Sequence, residues 1–121
     1  MDPELTVLLD ALAERKGRFR PAAYAWVLRA LESTRQRHQR AGHVSGRELA
    51  EGARDLAREE FGPMARLVLE HWGVRRSEDI GRIVYDLIEV EVLRRTEEDS
   101  LEDFRDVFDF EQAFERDYRW G

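Results

Sequence analysis

Cysteine is absent from this sequence, which excludes a disulfide scaffold, a thiolate zinc site and a thiol nucleophile, and suits a reducing cytoplasm. No window approaches the roughly 20 uninterrupted apolar residues of a membrane span. The N-terminus opens on Asp2 instead of a basic start followed by an apolar stretch, so no secretory signal is expected. Histidine is scarce: His38, His43 and His71 are the only three, and neither H-E-x-x-H nor any other ligand spacing joins them. A phosphate-cradling glycine-rich loop, an internal repeat and a low-complexity linker are missing too. Lysine occurs once, at Lys16, among 20 basic residues. These absences leave a cytoplasmic protein with no cofactor and no membrane partner as the expected class. The 121 residues, 42% of them hydrophobic, are enough for one core without staples, so a single domain over 1–121 is expected.

Charge is abundant and unevenly placed. The net value is -6, but residues 1–40 carry 8 basic and 5 acidic side chains, residues 41–80 carry 6 and 8, and residues 81–121 carry 6 and 13. All eight of the first group lie in 15–40, opposed there only by Glu32. Two outcomes follow: the ends neutralise each other in the fold, or each is presented to a partner.

Five helices are legible. Asp2 followed by Pro3 caps the first, in which Leu5, Leu8, Leu9 and Leu12 recur at helical spacing up to Gly17. Pro21 opens the second, with a stripe of Tyr24, Val27, Leu28 and Leu31. Ser45 and Glu48 make a capping box for the third, which presents Leu49, Ala53, Leu56 and Ala57 to the core and stops at Gly62. Pro63 starts a short fourth helix with Met64, Leu67, Val68, His71 and Trp72 on its expected buried side and Gly73 as its C-terminal cap. Ser77, Glu78 and Asp79 begin the fifth, whose Ile80, Ile83, Val84, Leu87 and Ile88 form the strongest stripe. Val90, Val92, Leu93 and Thr96 are better strand formers and 97–100 is a polar turn cluster, so a β-hairpin over about 92–108 is expected, its second strand running 104–108. Asp109 and Gln112 then cap a short C-terminal helix carrying Phe110, Phe114 and Tyr118. The expected fold is therefore mostly α with a small β-hairpin (α+β): an N-terminal helical pair over 1–42, then a winged-helix-like core over 43–121 made of three helices and an acidic wing.

The stretch HVSGRELAEGARDLAREEFGPMARLVLEHWGV (43–74), followed by SEDIGRIVYDLIEVEVL (77–93) and TEEDSLEDFRDVFDFEQAF (96–114), resembles a planctomycete and verrucomicrobial family of small conserved hypothetical bacterial proteins. The similarity starts near Tyr24, and FGPMA…HWGV and TEED…DF are its most specific segments. The resemblance implies no assigned activity, cofactor or catalytic residue. The family often has a small residue near position 91, where this chain has Glu91, so the end of the fifth helix is open.

Function is weighed on this outline. A winged helix docks DNA with its third helix and wing, yet 78–93 carries Glu78, Asp79, Asp86, Glu89 and Glu91 against Arg82, and the wing carries Glu97, Glu98, Asp99, Glu102 and Asp103. Phosphate contact needs Lys and Arg, so DNA docking through this part is disfavoured. An anionic partner, RNA in particular, would meet Arg15, Arg18, Arg20, Arg35, Arg37 and Arg40, with Phe19, Tyr24 and Trp26 interleaved for stacking. A protein partner, or a second copy in self-association, would meet Glu97, Glu98, Asp99, Glu102 and Trp120, with Tyr118 nearby. Phe104, Phe108, Phe110 and Phe114 are read as core. Catalysis finds little support: His71 shares its face with Met64, Leu67 and Val68 and reads as a hydrogen-bonded core histidine. Asp99, Glu102, Asp103, Asp106 and Asp109 lack the order of a calcium loop. Asp106, on the strand face of Phe104 and Phe108, would need Arg94 or Arg95 as a partner. The reading is a non-enzymatic intracellular interaction module, with RNA association the alternative and a small enzyme or divalent-cation binder the weakest.

Overall fold

Helix α1 (Pro3–Lys16) starts where the Asp2 carboxylate accepts the Glu4 N–H at 3.0 Å, and it ends at Gly17 in the left-handed conformation, φ 67°. Leu9, Leu12 and Ala13 are its buried side. Helix α2 (Pro21–Arg37) is buried over a far wider arc: Ala23, Trp26, Ala30 and Thr34 join Tyr24, Val27 and Leu31 inside. It packs against α1, against α3 (Gly46–Phe61) and against α5 (Ser77–Glu89), and so forms the axis of the core. The capping box at the start of α3 is present in both directions, Ser45 Oγ accepting the Glu48 N–H at 3.1 Å and the Glu48 carboxylate accepting the Ser45 N–H at 3.0 Å. The computed structural model describes residues 2–38, 44–93 and 101–116, and for 101, 102 and 116 the backbone alone.

Small residues bring α2 and α3 together. Gly52, Ala50, Ala53 and Ala57 are buried on α3, and a Cβ built on Gly52 would lie 2.0 Å from Thr34 Oγ1. After Phe61 a 3-10 turn (Gly62–Met64) leads into α4 (Ala65–His71), of which Ala65 and Leu69 are buried. At the entry to α5 the expected Ser77 cap is replaced by Asp79, whose Oδ2 accepts the N–H groups of Arg75 and Arg76 at 2.8 and 3.2 Å. Ile80, Ile83 and Leu87 of α5 are fully buried. One hydrophobic cluster runs through all five helices and takes in Phe104, Phe110, Ala113 and Phe114.

The α+β expectation is overturned: the fold is all-helical, and no strand occurs among the described residues. Val92 does not leave in a strand. The N–H of Glu91 reaches the Ile88 carbonyl at 3.0 Å and that of Val92 the Leu87 carbonyl at 2.9 Å, closing α5 as a Schellman-type turn with Glu91 at φ 63°. That left-handed position is where a small residue, glycine above all, costs least. The expected second strand is a 3-10 turn (Leu101–Phe104) followed by a bend with Asp106 at φ 51°. Its backbone partners come from α5 instead of a neighbouring strand: the Ser77 hydroxyl donates to the Phe104 carbonyl at 2.5 Å and accepts the Val107 N–H at 3.1 Å. A winged-helix core fails with the hairpin, because α2 is the central helix and not an appendage. At the C-terminal end Asp109 caps Gln112 at 3.0 Å, and the last turn (Gln112–Arg116) is a π-helical one. It places Phe110 and Phe114 edge-to-face with centroids 5.0 Å apart.

Candidate functional site

The basic stretch is turned largely onto the acids of this same chain. Lys16 Nζ lies 2.6 Å from Glu89 and 3.8 Å from Asp86, and Arg15 lies 3.8 Å from Glu89. Arg29 meets Glu60 at 2.8 Å and Arg37 meets Asp55 at 3.1 Å. The hydrogen bond from Lys16, and its charge, hold the Glu89 carboxyl below the usual carboxylate range. Arg35 also has an interaction partner. Arg40 lies outside the described residues. Phe19, Tyr24 and Trp26, expected as interleaved stacking rings, are all buried. On the α1–α2 loop Arg18 and Arg20 are exposed; the charge of Arg18 acts on Tyr24, and Arg20 Nε donates to the His71 carbonyl at 3.2 Å.

The acidic surface expected at Glu97, Glu98, Asp99 and Trp120 lies outside the described residues, as do Tyr118 and the side chain of Glu102. Asp106 is exposed on a turn, with its N–H directed at Glu78 at 3.4 Å, and it does not share a strand face with Phe104 and Phe108. Burial pushes the Glu78 carboxyl up, but backbone N–H groups, that of Asp106 among them, and the Ser77 hydroxyl outweigh it and hold the group below its ordinary value. No group of three potential metal ligands occurs among the described residues. His38 Nδ1 sits 3.5 Å from Glu48, and His43 lies outside the described residues. Two open grooves flank Phe108. One, about 270 Å³, is walled by Arg75, Arg76, Glu78 and Phe110, and the other, about 180 Å³, by Arg54, Arg58 and Gln112. Both mix charges of either sign and carry no ordered constellation.

The feature that stands out is α4. Its Ala65 and Leu69 point into the core, while Met64 and Leu67 are 51% and 61% exposed and His71 is exposed beside them. The expected burial of Met64, Leu67 and His71 is thus reversed: the helix is rotated so that its smaller apolar side faces α3. Seven residues make only two turns, too few for the pattern to fix a phase. Phe61 and Trp72 bracket α4, half-buried, with their rings edge-to-face at 5.3 Å. Beyond His71, the α1–α2 loop crosses the α4–α5 turn. The Arg20 N–H donates to the Trp72 carbonyl at 3.1 Å, and the Arg18 carbonyl lies 2.4 Å from where a Cβ on Gly73 (φ +94°) would sit. The outer stripe of α4 therefore ends beside the exposed Arg20, while the charge of Arg18 acts on Tyr24 and Arg75 lines the groove beside Phe108. Arg66, on the flank, is spent on Glu70 at 3.0 Å and Glu115 at 2.6 Å, which raise its pKa.

Comparison with protein-family models, with curated proteins and with solved structures finds no match to this chain. No helix among the described residues is long and apolar enough to cross a membrane.

Proposed function

We propose that this chain is a non-enzymatic intracellular interaction module that docks a protein partner through the outer face of α4. The observation that carries the reading is the pair Met64 and Leu67, both exposed, one at the cap and one in the first turn of a helix whose Ala65 and Leu69 already line the core. Scattered exposed apolar residues need no explanation, but neighbouring ones rimmed by polar groups mark contact surfaces. The exposed Arg20 at the end of the stripe adds a polar edge to the patch. RNA association draws less support. The rings that would stack are buried, and Arg15, Lys16, Arg29 and Arg37 already face carboxylates.

Affinity capture from nuclease-treated lysate, comparing the natural chain with Leu67→Asp, tests the reading. Truncating or charging a contact residue at the centre of an interface costs at least about 2 kcal/mol, or about thirtyfold in affinity. Specific partners are expected to be retained by the natural chain and lost by the variant, at a thermal midpoint unchanged within the small effect of a surface substitution. Equal capture by both chains removes the role of α4. Capture that disappears with nuclease alone favours RNA.

A further inference from the structure

We infer that the C-terminal segment 104–115 is a strap held by the helices as an intramolecular ligand, and that the groove it fills accepts a separate peptide of the same aromatic pattern. This groove lies apart from the outer face of α4. Phe104, Phe110, Ala113 and Phe114 of the strap are buried, yet among the described residues no backbone-to-backbone hydrogen bond joins it to the helices. The bonds that cross between them use side chains of the helices. At one end the Ser77 hydroxyl serves the Phe104 carbonyl and the Val107 N–H, and the Glu78 carboxylate accepts the Asp106 N–H. At the other, Arg58 Nε donates to the Ala113 carbonyl at 2.8 Å and Arg66 pairs with Glu115. The rings of the strap meet one another: Phe108, Phe110 and Phe114 are in mutual contact with centroids 5.0–5.7 Å apart. Phe104 enters a socket that the helices leave for it. A Cβ on Gly46, the first residue of α3, would lie 3.1 Å from its ring and 2.8 Å from Asp103 Cβ.

A segment that coheres through its own rings and is tied down by side chains opens as one unit, at a lower cost than the helices beneath it. Opening leaves a groove along α3 that runs from the Gly46 socket to Arg58 and on to Arg66 of α4, with the Ser77 hydroxyl beside it. These groups define the partner. It carries aromatic side chains spaced as Phe104, Phe110 and Phe114, with a carboxylate in the place of Glu115. The tethered strap competes for the groove at an effective concentration of about millimolar, so the natural chain keeps a separate peptide out.

Site-resolved amide hydrogen exchange on the full chain tests the unit. Gly46→Ala fills the socket at one end of the strap, while alanine is otherwise the better residue within a helix. Overpacking there is expected to speed exchange of the Val107 N–H about tenfold or more, and that of the Ala113 N–H at the far end by the same factor, with α2 unchanged. Faster exchange at Val107 alone, an equal rise in α2, or no change would each overturn the inference. Phe114→Ala then weakens the strap while leaving the groove intact. A fluorescent peptide of residues 101–116 is expected to bind this variant at least about tenfold more tightly than the natural chain in anisotropy titrations, and Gly46→Ala added to it should remove the gain. Equal binding to the natural chain and the variant, or a gain that survives Gly46→Ala, would reject the groove. Loss of the helical circular dichroism signal in Phe114→Ala would show that helices and strap fold only as one, and would overturn the inference as well.

Discussion

Gly52 and Thr34 set how closely α2 and α3 approach. Thr34 is buried, with its hydroxyl donating back to the Ala30 carbonyl at 2.7 Å, and the space a Gly52 side chain would need is filled by that oxygen. Alanine at a helical glycine ordinarily gains about 1 kcal/mol. Here overpacking of about 1–3 kcal/mol opposes it. Gly52→Ala is expected to lower stability by up to about 2 kcal/mol in chemical denaturation, and Thr34→Ala in the same chain to restore it. A stabilised single variant would mean that the helices have room to spare. Trp26 poses the opposite problem. Its Nε1 is buried with no hydrogen-bond partner among the described residues, a cost of about 1–3 kcal/mol. The ring contact with Trp72 and the central place of α2 hold it there. Periodicity marks neither residue: Gly52 reads as a weak point in a helix, and Trp26 lies off the stripe made by Tyr24, Val27 and Leu31.

At the scale of elements, the parts of the fold governed by local chemistry were legible in the sequence. Asp2 with Pro3, Ser45 with Glu48, Gly17, and Asp109 with Gln112 all act as their residue types dictate, because a cap needs only its own turn. What local chemistry left open was decided by neighbours. Val92, Leu93, Val107 and Phe108 have the composition of strands, yet the Phe104 carbonyl and the Val107 N–H are both satisfied by one buried hydroxyl on α5. Ser77 reads as a helix cap and serves as a clamp. Ser77→Ala leaves a buried carbonyl and an N–H without that partner, which is expected to cost about 2 kcal/mol. The loss should appear as faster protease cleavage around 105–107 before the helices unfold. Cleavage at the natural rate would show that this segment is held by Phe104 and Phe110 instead. For α4, the packing of Ala65 and Leu69 into the common core chose the inward face, a choice invisible within seven residues. The same choice exposes Met64 and Leu67, so the surface read from sequence as core became the candidate site.

For the whole molecule, the uneven charge of the chain closes on itself, tying the end of α1 to the end of α5. Tyr24 takes part from the core side, its hydroxyl donating to Asp86 at 2.7 Å while Asp86 also faces Lys16. Burial, then the hydrogen bond and charge of Asp86, push the tyrosine well above its ordinary value. A raised folded-state pKa means that the folded chain keeps a proton the unfolded chain would release. The stabilisation is therefore whole below the ordinary tyrosine value of about 10 and is lost as pH rises from there toward the folded-state value. Tyr24→Phe should flatten this alkaline loss of stability, at a cost near neutral pH of about 1–3 kcal/mol for a bond to a charged acceptor. An unchanged alkaline profile in the variant would place the titration elsewhere. The net charge thus describes the partners poorly, since much of the described part of the basic stretch is answered internally. At the C-terminal end of α4 half-buried Trp72 stands against Trp26 of the core, with centroids 6.4 Å apart. Two chromophores at this separation share their excitation, and one of them lies at the root of α4, so anything that settles on the helix will alter the near-ultraviolet signal of the chain without a label having been attached.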